Sequence, residues 1–403
     1  MSGYIVNLAD EDALRRYVEF GVYGTLMKRP DYASWSVAAE LTLADYLTMR
    51  PGDLIFFFRE RTIYGVGRLL ALQPGTSTAA LANYPGASFP HAQPPDDRTH
   101  LLYRQHREED MRWLVFFRPD PAFFMRGLDM DEVLQGDMRG VVRGLRVFEK
   151  RSFIQVEDDE AQVMADLLLR RNADTAGCLA QADGQIFPDQ SLFYQARIGA
   201  QADRLAAHRI DVDGLLARYV REGIVAHEAL LQAWLAHALT VRHPEVTNIF
   251  GAWDYVANQM PASPQKPVMY MDRIDLFGYT TQRLSPNFPP TIMRYKAVEL
   301  KKDLIGYVNV INQMLKYVDW LAHTRAGGDY SMVDAYLVAS GYTPEVIDYA
   351  CDAGVRDYIT PYRPYQKQQW SQLTLVRYIP TITPGAPAVR LEPVPVVKVG
   401  RFF

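Results

Sequence analysis

The segment Tyr295-Lys296-Ala297-Val298-Glu299-Leu300-Lys301 reads as a strand, in which alternate side chains share a face. Glu299 and Lys301 then share one face while Val298 and Leu300 pack on the other. An earlier strand-like run, Asp272 to Gly278, carries Asp275 and is expected to pair with it across a surface loop, 280–294. Asp275, Glu299 and Lys301 would converge at one end of that hairpin. Carboxylate oxygens suit hard divalent cations, and Mg²⁺ takes one or two of them, with water and substrate phosphate completing its shell. A nearby lysine can orient, or help deprotonate, a water that attacks a phosphodiester. The chemistry open to these residue types is metal-assisted phosphodiester hydrolysis.

A lone Glu-x-Lys is common on solvated strands, so the neighbouring elements must carry the argument. After Lys301, Asp303 is read as a helix N-cap. Leu304, Val308, Ile311, Leu315 and Val318 then follow at helical spacing. Gln313 and Tyr317 lie four apart on one face of that helix and can both reach back toward the carboxylates. Upstream, Ile224 to Leu235 reads as a helix with Ile224, Glu228, Leu231 and Leu235 in one stripe. A carboxylate in a buried stripe needs a partner, and a metal or Lys301 would supply one. The other reading leaves Glu228 at the stripe's edge, reaching water.

Together Glu228, Asp275, Glu299-x-Lys301 and Gln313-x-x-x-Tyr317 resemble the PD-(D/E)XK nuclease superfamily, nearest to the catalytic domain of the NucS-type mismatch endonucleases. The segments RIDLFGY, YKAVELKK and INQMLKYVDWL are similar to that family's Arg-x-Asp strand, Glu-Leu-Lys strand and Gln-x-x-x-Tyr helix. The resemblance covers roughly 224–325. It implies Asp275 and Glu299 as ligands of Mg²⁺, for which Mn²⁺ can substitute. It further implies Lys301 as the water-orienting group, Gln313 and Tyr317 near the scissile phosphate, and Glu228 in support. Thr280 to Arg294 is longer than a tight hairpin needs, and the N-terminal half differs, so mismatch specificity does not carry over.

The chain has 403 residues, 48% hydrophobic and 22% charged, which allows two or three globular domains. Two cysteines, Cys178 and Cys351, make neither a disulfide framework nor a zinc site. With no apolar run near membrane-spanning length and no basic-plus-apolar leader, a cytoplasmic protein without membrane attachment is expected. A net charge of −4 argues against broad, sequence-blind affinity for nucleic acid. Locally, however, Arg139, Arg143, Arg146, Lys150 and Arg151 cluster, as do Arg294, Lys296, Lys301 and Lys302. Such patches are what phosphate contact requires.

In the N-terminal half, Tyr4–Leu8 is expected as a strand, followed by the segment Phe20–Leu26 and a short helix, Leu41–Leu47. Leu54–Phe58 and Ile63–Leu70 form a hairpin around a charged turn. Residues 73–98 read as a surface loop, Met111–Phe117 as a third strand, Arg139–Val156 as a strand region and Glu157–Arg171 as a helix. This order resembles the EVE/YTH group of PUA-like domains, with FGVYGTLM, PGDLIFFFRERTIYGVGRLL, RWLVFF and FEKRSFIQV in the family's sequence. The resemblance, over about 1–170, implies an aromatic cage for a modified base. Tyr23 would replace the first cage tryptophan, Trp113 would be the second, and Thr25 would be a polar contact. Trp35 is an outside candidate, and the bland alternative makes Tyr23 and Trp113 core aromatics.

The expected fold class is α+β multidomain. A PUA-like small barrel spans 1–171, a helical connector 172–222 and an α/β nuclease core 223–379, before a proline-rich extended arm, 380–403. The reading is a modification-dependent DNA endonuclease of restriction or defence type, acting on modified double-stranded DNA as a homodimer. Two rival readings remain. One is a nucleic-acid-binding module whose nuclease fold is not catalytic. The other is a nuclease activated by a nucleotide ligand or a partner.

Overall fold

The computed structural model describes residues 2–8, 14, 17, 22–28, 35–69, 83–84, 110–119, 126–138, 140–147, 152–174, 210–262, 272–381 and 388–395. Its chain divides into two compact units, Met1–Asp211 and Val212–Phe403. Both mix helices with sheets, and among the described residues no helix is long and apolar enough to cross a membrane.

In the first unit the strands are β1 (Gly3–Asn7), β2 (Val22–Lys28), β3 (Leu54–Arg59), β4 (Thr62–Leu69), β5 (Asn83–Tyr84), β6 (Asp110–Pro119), β7 (Leu128–Asp129) and β8 (Phe153–Val156). Helices α1 (Val37–Thr48), α2 (Met130–Gly136) and α3 (Asp158–Arg171) accompany them. The expected β3–β4 hairpin forms around Glu60 and Arg61, both at positive φ. Paired left-handed residues are what a two-residue hairpin turn requires, because that turn matches the strand twist. The order β2-β6-β4-β3-β1-β8 is open at both ends, so among the described residues the barrel expected for this unit is not closed. Of the region 139–156, expected as strand, the described residues form β8 and a 3₁₀ turn at Gly144–Val147. Helix α3 begins as expected: Glu157 is its cap, and Glu160 returns a side-chain bond to the Glu157 N–H.

Val212–Arg218, expected in the connector, forms α4 and belongs to the second unit, as do β9 (Val220–Arg221) and β10 (Ile224–Val225). Ala196–Ala206, also within the expected helical connector, lies outside the described residues. Next come α5 (Glu228–Thr240), α6 (Pro244–Phe250), β11 (Tyr255–Pro261), β12 (Arg273–Gln282), β13 (Thr291–Leu300) and β14 (Leu304–Ile305). The chain continues through α7 (Asn309–Thr324), β15 (Val333–Ala339), β16 (Gly341–Tyr342) and α8 (Pro344–Ala353). It closes with β17 (Arg356–Ile359), β18 (Lys367–Trp370), β19 (Leu373–Pro380) and β20 (Val389–Val394).

Six strands make one mixed sheet in the order β11-β12-β13-β15-β19-β20. The hairpin strands pair antiparallel, while β13, β15 and β19 run parallel, joined by helical crossovers as parallel strands require. Helix α7 buries Val310, Ile311, Met314, Leu315, Val318 and Leu321 at three- and four-residue spacing in a core shared with Ala297, Ala335 and Leu337 of the sheet. The helix stops after Thr324, and Gly327 and Gly328 follow at φ +60° and +93°, conformations that glycine adopts cheaply. On β12, Gly278 is obligatory for a different reason. A Cβ there would stand 2.2 Å from the Trp253 ring and 2.3 Å from the Tyr255 carbonyl oxygen.

Three boundaries differ from expectation. The loop expected over 280–294 narrows to 283–290, because β12 runs on to Gln282 and β13 starts at Thr291, with an irregularity at Thr280/Thr281. The helix expected from Asp303 starts only at Asn309, because Leu304 and Ile305 pair with Gly341 and Tyr342 instead. The arm 380–403 contributes the edge strand β20, paired antiparallel with β19 of the same chain. An edge position tolerates Pro393, which has no N–H to give a further neighbour. Val396, Val397 and Val399 lie outside the described residues.

Candidate active site

Register places the central carboxylates. Leu276 pairs with Val298 across β12 and β13, so one step further Asp275 stands level with Glu299. Directly opposed residues of an antiparallel pair share a face. Lys301 follows β13, with its N–H bonded to the Val338 carbonyl, which keeps the strand direction for one more residue. Its Nζ donates to Glu299 Oε1 at 2.8 Å and to the Leu300 carbonyl at 2.7 Å.

Helix α7 supplies the next group. Gln313 Nε2 donates to the same Glu299 Oε1 at 2.9 Å and lies 2.8 Å from the Tyr317 hydroxyl. Tyr317 does not reach a carboxylate; its hydroxyl donates to the Arg273 carbonyl at 2.7 Å and so ties α7 to the start of β12. Glu228 sits at the first position of α5, not within a helical stripe, because Ile224 and Val225 form β10. From there its Oε1 lies 3.5 Å from Lys301 Nζ, and its Oε2 accepts the Lys302 N–H at 3.0 Å. The structure thus gathers all six sequence-derived residues into one network, with Tyr317 and Glu228 on its outside.

Glu299 is the best buried of them, at 2% exposure, and its Oε2 has no hydrogen-bond partner. A buried carboxylate oxygen left unpaired carries its full desolvation cost, so it calls for a proton or a cation. Burial, with the Asp275 charge adding to it, pushes the Glu299 carboxyl up to about 8. Burial likewise lifts Asp275 to about 6, against the pull of Lys301 and of the Leu300 N–H, which donates to its Oδ2 at 2.8 Å. Burial alone would lower the Lys301 ammonium, but Glu299 and Asp275 outweigh it and hold the group above its ordinary range. Lys301 therefore keeps its proton here, which favours an orienting role over the deprotonating one.

Among the described residues no group of three or more His, Cys, Asp or Glu side chains is arranged as a metal shell. Two carboxylates with one unpaired oxygen nevertheless fit Mg²⁺, which takes one or two protein carboxylates and leaves the rest to water and phosphate.

The second basic cluster does not converge on this site. Lys296 is buried and donates to the Phe250 carbonyl, and burial lowers its pKa. Arg294 pairs with Asp334 at 2.8 Å. Strand alternation explains the first: even-numbered residues of β13 face away from Glu299. Of the four, Lys301 and Lys302 remain beside the carboxylates. In the first cluster Arg139, Lys150 and Arg151 lie outside the described residues.

Sequence reasoning missed Gln259, Gln232 and Asn258. Gln259 Nε2 donates to Asp275 Oδ1 at 2.8 Å, and Gln232 Nε2 to the Asp275 carbonyl at 2.6 Å. No motif marks them; the available signal was register, since β11 sets Gln259 level with Asp275 once Asn258 pairs with Leu276.

In the first unit, Trp113 is fully buried, stacked on Tyr46 at 5.3 Å and edge-on to Trp35 at 5.5 Å. Its indole N–H has no hydrogen-bond partner. Tyr23 packs separately, against Tyr17, Phe57 and Phe153, and its hydroxyl donates to the Asn7 carbonyl at 2.9 Å. Thr25, opposite Trp113 on β2, donates to the Ser152 hydroxyl at 2.9 Å. The structure brings Trp35 and Trp113 together and leaves Tyr23 apart, with Tyr46 and Phe153 as intervening rings that sequence did not single out.

No protein-family model matches this chain, and no curated protein matches it significantly.

Proposed function

We propose that the chain is a divalent-metal-dependent phosphodiesterase of nuclease type, with DNA as substrate. The observation that carries the reading is Glu299: one buried oxygen is held by Lys301 and Gln313, and the other is unpaired, level with Asp275. Asp275 and Glu299 would hold Mg²⁺, with Mn²⁺ as a substitute. A bound Mg²⁺ supplies charge neutralisation at the scissile phosphoryl group and lowers the pKa of water near it. Gln313 fixes the Glu299 carboxylate, and Tyr317 fixes Gln313. Lys301 presents a retained ammonium to the attacking water or to a phosphate oxygen, while Glu228 keeps it from swinging away.

The wider reading, a restriction-type enzyme that recognises an altered base through its N-terminal unit, draws its support from the order of elements there. The rings of Trp35, Tyr46 and Trp113 are buried against one another, so a base stacked there would have to displace one of them.

DNAs identical in sequence but differing in base modification, incubated with the protein and Mg²⁺, test the proposal. Cleavage should require metal and stop in EDTA. It should fall at least about 100-fold for Asp275→Ala, Glu299→Ala or Lys301→Ala, because these groups act in the transition state, while DNA binding stays largely intact. Undiminished cutting by Glu299→Ala would overturn the assignment.

A further inference from the structure

Strand β11 carries a backbone outlier: Gln259 has φ +55°, left-handed in a residue with a side chain. That conformation is unfavourable for an L-residue and persists only where the surroundings impose it. Its neighbours are ordinary, since Asn258 pairs with Leu276 and Met260 with Ile274. Gln259 alone steps out of the ladder, at the level of Asp275.

What the turn achieves is a set of amide contacts. Gln259 Nε2 donates to Asp275 Oδ1 at 2.8 Å and to Gln232 Oε1 at 3.2 Å. Gln232 Nε2 donates in turn to Asn258 Oδ1 and to the Asp275 carbonyl. Gln232 and Asn258 are both buried, where amides cost more than apolar packing unless their bonds are needed. With the Leu300 N–H on Oδ2, donors from two strands hold both oxygens of Asp275 and so fix the plane of its carboxylate. Mg²⁺ demands near-octahedral directions from its ligands, and partners that orient a ligand commonly govern 10- to 100-fold in affinity.

We infer that Gln259 is a positioning residue of the cation site: its strained backbone aims an amide that holds the Asp275 carboxylate where it can share a cation with Glu299. This rests on the phosphodiesterase reading above.

Mn²⁺ binding by the full chain, read as loss of the free-ion paramagnetic resonance signal, tests it without any turnover. Gln259→Gly removes the amide and relieves the positive φ, so its melting temperature should equal or exceed the parent's. Its Mn²⁺ affinity should nonetheless fall about 10- to 100-fold. Gln259→Met, which keeps the side chain's length without a donor, should weaken Mn²⁺ to a similar degree. Parental affinity in a folded Gln259→Gly protein overturns the inference and leaves the phosphodiesterase reading standing. Loss of folding in both variants also overturns it, because the residue is then structural. A parent chain that binds no Mn²⁺ saturably, while Asp275→Asn behaves identically, overturns the phosphodiesterase reading itself.

Discussion

Burial pushes the Glu299 carboxyl up to about 8, with Asp275 level with it on the neighbouring strand adding to the shift. In the unfolded chain the group titrates near its ordinary 4.5, so the fold binds its proton more tightly. The resulting stability is complete below that ordinary value and is lost as pH rises through about 8. Asp275, raised to about 6, acts in the same direction over the lower part of that window. Metal-free protein should therefore melt at progressively lower temperature from about pH 5 to pH 8, with a slope of up to about 1.4 kcal/mol per pH unit from each group. Glu299→Gln should flatten most of that slope and melt above the parent at pH 8, while cleavage is lost. Thermal melts in EDTA across pH check this, and a parent that gains stability with rising pH would show Glu299 ionised in the empty site. A cation replaces the proton, so Mn²⁺ affinity should rise over the same window.

Strand β6 poses the corresponding question for the first unit. Trp113 offers no exposed ring face and packs between Tyr46 and Trp35. Trp113→Ala should cost the fold about 3–5 kcal/mol, the usual cost of emptying a buried aromatic site. Chemical denaturation of the full chain, following the N-terminal transition, measures it. A loss under about 1 kcal/mol would mean the ring is dispensable for packing and held for a ligand.

The elements legible in sequence were those whose pattern has a single physical reading. Strand geometry put Glu299 and the following Lys301 on one face, and the three- and four-residue spacing of Val308, Ile311, Leu315 and Val318 marked α7. Lys296 was read with the cluster of like charges as a phosphate contact, but its strand position turns it to the face opposite Glu299, where it is buried. Leu304 fits helical spacing equally well, and only the distant pairing with Gly341 decides that it is strand. Gln259 was illegible for a related reason: its importance comes from a strand pairing and a backbone angle, neither of which its local sequence displays.

At the scale of the whole molecule, the proposed metal centre would hydrolyse one strand, so a double-strand break would need two centres facing opposite strands. A closed two-fold dimer is the commonest way to supply them. Strand exchange through the C-terminal arm would need a free segment, but Val389–Val394 is already paired with Leu375–Pro380, and Val389 and Leu391 are buried. The Leu391 N–H also donates to Glu245 at 2.9 Å, so removing the arm after Tyr378 would strip an edge from the sheet rather than merely weaken assembly. The test must therefore keep the full chain. Light scattering with a modified duplex in Ca²⁺, whose looser coordination should support binding without turnover, is expected to give the mass of two chains per duplex. In Mg²⁺ the same duplex should then be cut on both strands at comparable rates. One chain per duplex together with nicked product would make the protein a single-strand cutter, and the dimer would have to be abandoned.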